Sequence, residues 1–292
     1  MKRSHSFWII FGIYLSAFIV GVVVYRLLAL DSMIARVIIA DLAATVTIFL
    51  FSTAFKNSSV YDPYWSVAPM VIVPFFVETW NVASVLMVVV IGYWGIRLTL
   101  NWAVTFKGLA HEDWRYRYFK ARFPRLWPLV NLFGIHLMPT VVVILVMLPA
   151  LLYLQSSPYI NLITLTGAFL SMLATTIQWH SDHTVHRFRE HTPEYTCKVG
   201  LWKYSRHPNY FGEILMWFGV FLMLYGVRPS FYLSILGPLL NMAMFIAISI
   251  PLMEKRELKR KKDYEAYIEN TNMLLPLPDV KTLRETVLGH RK

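Results

Sequence analysis

The chain has 292 residues, of which 57% are hydrophobic and only 15% charged, with a formal net charge of +11. Several apolar runs approach the roughly 20 residues that a spanning helix needs, which excludes a soluble or disordered class. The basic excess falls in the links between these runs, where positive-inside bias and anionic headgroups account for it, so it does not mark a nucleic-acid partner.

In chain order the runs predict eight spans, at 7–30, 33–55, 59–77, 82–105, 129–154, 159–179, 210–227 and 231–253. The first follows Lys2 and Arg3 but is long and lacks a small-residue cleavage pattern, so it reads as a first span and not a signal peptide. The third is interrupted by Pro63, Pro69 and Pro74 and reads as a kinked span lining a cavity. Eight crossings put both termini on one side, together with the basic links 107–125 and 183–206 and the tail from Lys255, which positive-inside bias makes cytoplasmic. The expected fold is therefore an all-α, multi-pass transmembrane helical bundle, without repeats or low-complexity tracts.

The polar residues are unevenly placed. The stretch 200–213, GLWKYSRHPNYFGE, gathers Trp202, Lys203, Tyr204, Arg206, His207, Asn209 and Glu213 just ahead of the seventh run. Polar groups at a membrane-helix mouth lose hydration and normally face a cavity, a headgroup or a ligand. Arg206 and His207 stand at a helix amino end, with Pro208 suited to the first turn, so a phosphate fits there; anchoring to lipid phosphates is the simpler alternative. Glu213 is costly as an ion in an apolar turn.

A second cluster, Asp182, Arg187 and Arg189, ends the sixth run, and Asp182 and His186 are i,i+4 neighbours. His180, His183 and His186 invite a metal reading, but the other histidines form no HxxxH or HxxHH box and no metal is expected. Cys197, the only cysteine, permits no internal disulfide and reads as a small residue in a polar loop. Arg97 and Asn101 share a face of the fourth run, and an intramembrane arginine there is unfavourable against lipid. Asp62 opens the third run, either as a helix cap before Pro63 or as a buried acid with chemistry to do.

These blocks, in this order, resemble the steroid 5-alpha-reductase family and in particular its DUF1295 branch, in a superfamily shared with sterol reductases and isoprenylcysteine methyltransferases. The resemblance covers about 60–276 and rests on YDPYW at 61–65, HEDWRY at 111–116, QWHSDHTVHRFR at 178–189, GLWKYSRHPNYFGEILMW at 200–217 and DYEAYIENTNMLLP at 263–276. RHPNY is shared with the methyltransferases; HSD together with RHPNYFGE is far more specific. The implied organisation is an amino-terminal hairpin over 1–57, a catalytic membrane domain over 58–276 and a basic cytoplasmic tail over 277–292.

What the resemblance implies is an NADPH-dependent reductase of a carbon–carbon double bond in an apolar, steroid- or isoprenoid-like enone. Asp62 then matches the acid that anchors the substrate carbonyl. Tyr93 stands beside Trp94, which occupies the position of the family's partner tyrosine, so Tyr93, Tyr61 and Tyr64 are the candidate proton donors. Arg97, Asn101, Gln178, Asp182, Arg189, Tyr204, Arg206, His207, Asn209, Glu213 and Trp217 fall to the cofactor, with Asn209 on the nicotinamide amide. The expected partners are membrane lipids and a lipid-like substrate in a multi-pass protein of the bacterial inner membrane or endoplasmic reticulum. A methyltransferase using S-adenosylmethionine and a non-catalytic sterol- or lipid-binding protein are the alternatives, and oligomeric state leaves no trace in the sequence.

Overall fold

The computed structural model describes residues 2–278, and the basic tail expected over 277–292 lies, apart from its first two residues, outside them. The regular structure of the described residues is helical, with no strand and one isolated bridge between Ser205 and Asn272. The helices are α1 (Arg3–Leu27), α2 (Met33–Ala54), α3 (Tyr64–Phe75), α4 (Val82–Thr105), α5 (Trp114–Arg122), α6 (Trp127–Leu154), α7 (Leu162–His191), α8 (Pro208–Val227), α9 (Pro229–Arg260) and α10 (Tyr264–Asn270). Seven of them, all except α3, α5 and α10, are long and apolar enough to cross a membrane, and the protein is a multi-pass helical bundle. The chain forms two compact units, Met1–Tyr159 and Ile160–Lys292.

In the first unit the third expected span is corrected in length. Its helix has 12 residues, about 18 Å of rise, short of a hydrocarbon core of about 30 Å. The chain nevertheless traverses the unit here, because both flanks are pinned at opposite ends of α4. The Asn57 amide donates to the carbonyls of Leu109 (2.7 Å) and His111 (3.2 Å), just past the C-terminus of α4. Asn81 closes a capping box with Ser84 at the N-terminus of α4 and donates to the Pro158 carbonyl at 3.1 Å. Between these pins α3 packs on α4, with Ser66 Oγ 2.8 Å from Thr99 Oγ1, and a Cβ on Gly95 would meet Met70 at 2.5 Å. The prolines shorten the helix, and a 3₁₀ turn at Ser58–Val60 on one side and the non-helical link 77–81 on the other connect it to the two pins.

The amino terminus of α1 lies at the same end as the 106–113 link, because Arg3 Nη2 donates to the Ala103 carbonyl at 2.6 Å and the Leu109 N–H donates to Ser6 Oγ at 3.1 Å. This geometry gives a direct topological expectation. In a Cys197→Ser background, cysteines placed at Lys120 and at Lys2 react with an impermeant reagent from one side, and a cysteine at the exposed Glu78 from the other. Same-side labelling of Glu78 and Lys120 would mean that 57–81 folds back without crossing.

In the second unit α7 and α8 form an antiparallel hairpin. The Asn161 amide donates to the Gly226 carbonyl at 2.7 Å, so the start of α7 meets the end of α8. Small residues let the two backbones approach: a Cβ on Gly212 would stand 2.6 Å from the Ala174 carbonyl oxygen, and one on Gly219 only 2.3 Å from Ser171 Oγ. The expected sixth span ends too early. α7 runs on to His191, so the 180–189 cluster is on the spanning helix and not in a link. α9 likewise continues beyond 253 to Arg260, opening with a 3₁₀ turn and carrying a π-helical stretch at Phe245–Ser249.

Candidate functional site

In the first unit Asp62 sits before α3, among the loop residues at the end of the unit that holds the 106–113 link. Its side chain caps no helix: Pro63 occupies the cap position and makes no side-chain cap bond. Instead Asp62 Oδ1 accepts a hydrogen bond from the Tyr116 hydroxyl and lies 3.6 Å from Arg115 Nη2. Arg115 is fixed in turn by Asp113, whose Oδ1 accepts from Nε at 2.8 Å. Burial raises the Asp62 carboxyl to about 6, and the Arg115 charge only partly offsets it. The HEDWRY block therefore contributes Tyr116 as the phenol on Asp62, a partner that Tyr61, Tyr64 and Tyr93 do not supply.

The other predicted residues of this unit lie on α4. Tyr93, Arg97 and Asn101, spaced by four, share one face, with Arg97 buried and the other two half-buried. Trp94 is fully buried and its ring packs 6.1 Å from Trp65.

The interior of the unit holds a second acid that the sequence reading passed over. Asp41, buried in α2, accepts from the Tyr64 hydroxyl at 2.6 Å. Nearby, Tyr61 OH stands 2.7 Å from Thr140 Oγ1, which is 3.0 Å from Thr45 Oγ1. A lone carboxyl in an apolar run was the available signal.

In the second unit the polar block gathers where α7 ends and α8 begins. Gln178 and Asp182, one turn apart on α7, are both buried. The Asn209 amide donates to Asp182 Oδ1 at 3.1 Å, joining the HSD and RHPNY motifs directly. One turn further, the Trp217 indole donates to Glu213 Oε1 at 2.9 Å, which orients that buried carboxylate. Trp202 anchors the preceding loop by donating to the Ser181 carbonyl at 2.9 Å. Asp182, Arg189, His207 and Asn209 line one cavity; Tyr204 instead borders a separate hollow with Thr176 and His180.

Arg206 is placed differently from a simple phosphate ligand. Its Nε donates to Glu254 Oε1 at 2.7 Å, its Nη1 to the carbonyls of Ile268 and Thr271 at 2.9 Å each, and its backbone N–H to the Asn272 carbonyl at 2.9 Å. His207 Nε2 shares Glu254 Oε1 at 3.1 Å. Together with Tyr267, whose hydroxyl donates to the Trp202 and Ser205 carbonyls, Arg206 clamps the 263–274 segment onto the start of α8. Glu254 is the member of this clamp that sequence reasoning missed. Cys197 lies in the loop after α7, where it is buried and lines the cavity.

No group of three or more His, Cys, Asp or Glu side chains among the described residues is arranged to hold a metal ion. Of the known proteins, none of the curated sequences and none of the solved structures matches the chain. A family model does match, over residues 48–271, and its description reads "protein of unknown function (DUF1295)". The match takes in α3, α4, the Asp62 cluster and the whole Asp182–Asn209–Arg206 site, and the chain belongs to the DUF1295 family.

Proposed function

We propose that the protein is an integral-membrane NADPH-dependent reductase acting on the carbon–carbon double bond of an apolar enone. The observation that carries this reading is the cavity in which Asp182 and Asn209 are hydrogen-bonded and Arg189 and His207 face the same space. Its donors and acceptors fit a phosphorylated nucleotide: Arg189 makes no hydrogen bond or ion pair with any described residue, and the Asp182–Asn209 pair presents both an acceptor and a donor. When bound, the reduced nicotinamide supplies a hydride to the alkene.

The protein's share of the work is orientation and electrostatics. Asn209, held by Asp182, offers its remaining amide groups to the nicotinamide carboxamide, and Glu213 is kept in register by Trp217. Asp62, biased toward its protonated form by burial, donates to the enone oxygen and withdraws charge from the double bond as hydride arrives. Tyr116, bonded to Asp62, holds that carboxyl in one orientation. The cofactor enters from the cytoplasm and the substrate from the bilayer.

Thermal-shift or calorimetric titration of the purified protein tests this reading. NADPH is expected to bind and stabilise it, by about 2.7 kcal/mol at a hundredfold excess over Kd, while S-adenosylmethionine leaves it unchanged. Stabilisation by S-adenosylmethionine alone would replace the reductase with a methyltransferase.

A further inference from the structure

The hollow that Tyr204 borders is separate from the cavity and differs from it in character. α7 supplies Ile177 and His180 to it, and the loop ahead of α8 supplies Gly200, Leu201, Lys203 and Tyr204. Gly200 takes the left-handed conformation, at φ 60°, which turns the chain so that the 3₁₀ stretch Gly200–Lys203 lies against α7; a Cβ on Gly200 would stand 3.6 Å from His180 Nε2. Ile177 and Leu201 are half-buried and apolar, while His180 and Lys203 are exposed at the rim.

No carboxylate among the described residues lines the hollow. Lys203 has no hydrogen bond or ion pair with any described residue, and its ammonium lies 5.7 Å from the centre of the Tyr204 ring. Other lysines of the unit are committed, Lys198 to Asp263 at 2.8 Å and Lys262 to Glu194 at 2.5 Å. An uncommitted ammonium over an apolar floor, with an imidazole and a phenol at the same rim, matches an anion carried on an apolar body.

The depth of the hollow fits the same ligand. His180 stands about 27 Å along α7 from Leu162, and α8, antiparallel to it, has 20 residues, about 30 Å. Asn161 ties the far ends of the two helices together, so a hydrocarbon core of about 30 Å that begins at Leu162 ends beside His180 and Pro208. Trp179, 59% exposed, sits at that level, the usual depth of interfacial tryptophans, and the charged residues Asp182, Arg187 and Arg189 follow only beyond it. The hollow therefore opens where lipid phosphates lie.

We propose that the hollow is a binding site for one anionic phospholipid, with Lys203 on the phosphate, His180 and the Tyr204 hydroxyl beside the headgroup, and the first acyl methylenes on Ile177 and Leu201. Tyr204, which the resemblance gives to the cofactor, then serves a lipid. The loop has a second face, from which Trp202 and Arg206 line the cavity, and Trp202 is held there by its bond to the Ser181 carbonyl. A lipid seated on the outer face braces that loop in place, whatever the cavity binds.

Thermal unfolding of the purified full-length protein, delipidated in a neutral detergent and titrated with phosphatidylglycerol, phosphatidylcholine or water-soluble glycerol 3-phosphate, tests the site in wild type, Lys203→Gln, Lys203→Arg and Lys259→Gln. Phosphatidylglycerol is expected to stabilise wild type saturably, and the other two compounds to leave it unchanged. Lys203→Gln raises the half-saturating phosphatidylglycerol by about fivefold, and Lys203→Arg restores it. Lys259, exposed on α9 and outside the hollow, is the control for general surface charge, and Lys259→Gln leaves the titration as in wild type. Lys203 is itself exposed and makes no internal bond that its replacement would break. Equal losses in Lys203→Gln and Lys259→Gln would reduce the effect to net charge and remove the site. Equal stabilisation by phosphatidylcholine would remove the anion from it, equal stabilisation by glycerol 3-phosphate would make the ligand a soluble phosphate, and no stabilisation by phosphatidylglycerol would leave the hollow without a lipid.

Discussion

Arg206→Ala is expected to destabilise the second unit by about 3–5 kcal/mol, the usual cost of removing one partner from a buried ion pair. The side chains of Arg206 and Glu254 are only 11% and 16% exposed, so little solvent is available to rehydrate the carboxylate left behind. The carbonyls of Ile268 and Thr271 lose their donor in the same step, and the closing segment loses its tie to α8. On the reductase reading NADPH affinity falls with it, because Tyr264 and Tyr267 of the released segment line the cavity. The double variant Arg206→Ala with Glu254→Gln separates this account from direct phosphate binding. If Arg206 is a brace, replacing the orphaned charge by an amide recovers part of the stability and part of the affinity together. If it is mainly a phosphate ligand, Arg206→Ala leaves thermal unfolding of the apo-protein unchanged and the second substitution restores nothing.

The long spans were legible because each is a continuous apolar run near membrane thickness, a signal that needs no tertiary information. The third segment was only half legible. Its prolines announced the short helix, but the crossing depends on amide side chains at Asn57 and Asn81 bonding to carbonyls 52 and 77 residues away. Hydropathy carries no record of such bonds. The overrun of α7 to His191 was hidden for the opposite reason: charged residues dilute the apolar pattern while the backbone hydrogen bonds simply continue.

At the site, the Asp182–Asn209 bond was legible as the adjacency of two motifs, since close packing at Gly212 forces the start of α8 against α7. Partners were not. Tyr116 for Asp62 and Glu254 for Arg206 lie 54 and 48 residues away along the chain, and no periodicity links them.

Asp62→Asn is expected to remove a pH dependence that the wild-type protein shows without any substrate. The folded-state carboxyl titrates at about 6 against an ordinary value of 3.8, so between these values the folded protein binds more proton than the unfolded chain. Stability is then highest below about pH 3.8 and declines as pH rises through about 6, by on the order of 3 kcal/mol in total from this one group. Unfolding measured across that window in wild type and Asp62→Asn isolates the contribution, since the amide still accepts from Tyr116 but cannot ionise. Asp62→Leu leaves the Tyr116 hydroxyl unmatched and costs about 1–3 kcal/mol at every pH. On the reductase reading, turnover of an enone follows the same proton: the acid form is the donor, so the rate is expected to fall as pH rises above about 6 in wild type, to be strongly reduced in Asp62→Asn and lost in Asp62→Leu, with NADPH binding retained in both. A wild-type stability profile that matches Asp62→Asn throughout would show the carboxyl already ionised in the fold, held by Arg115 as one half of an ion pair, and the role of acid would pass to the buried Asp41–Tyr64 pair.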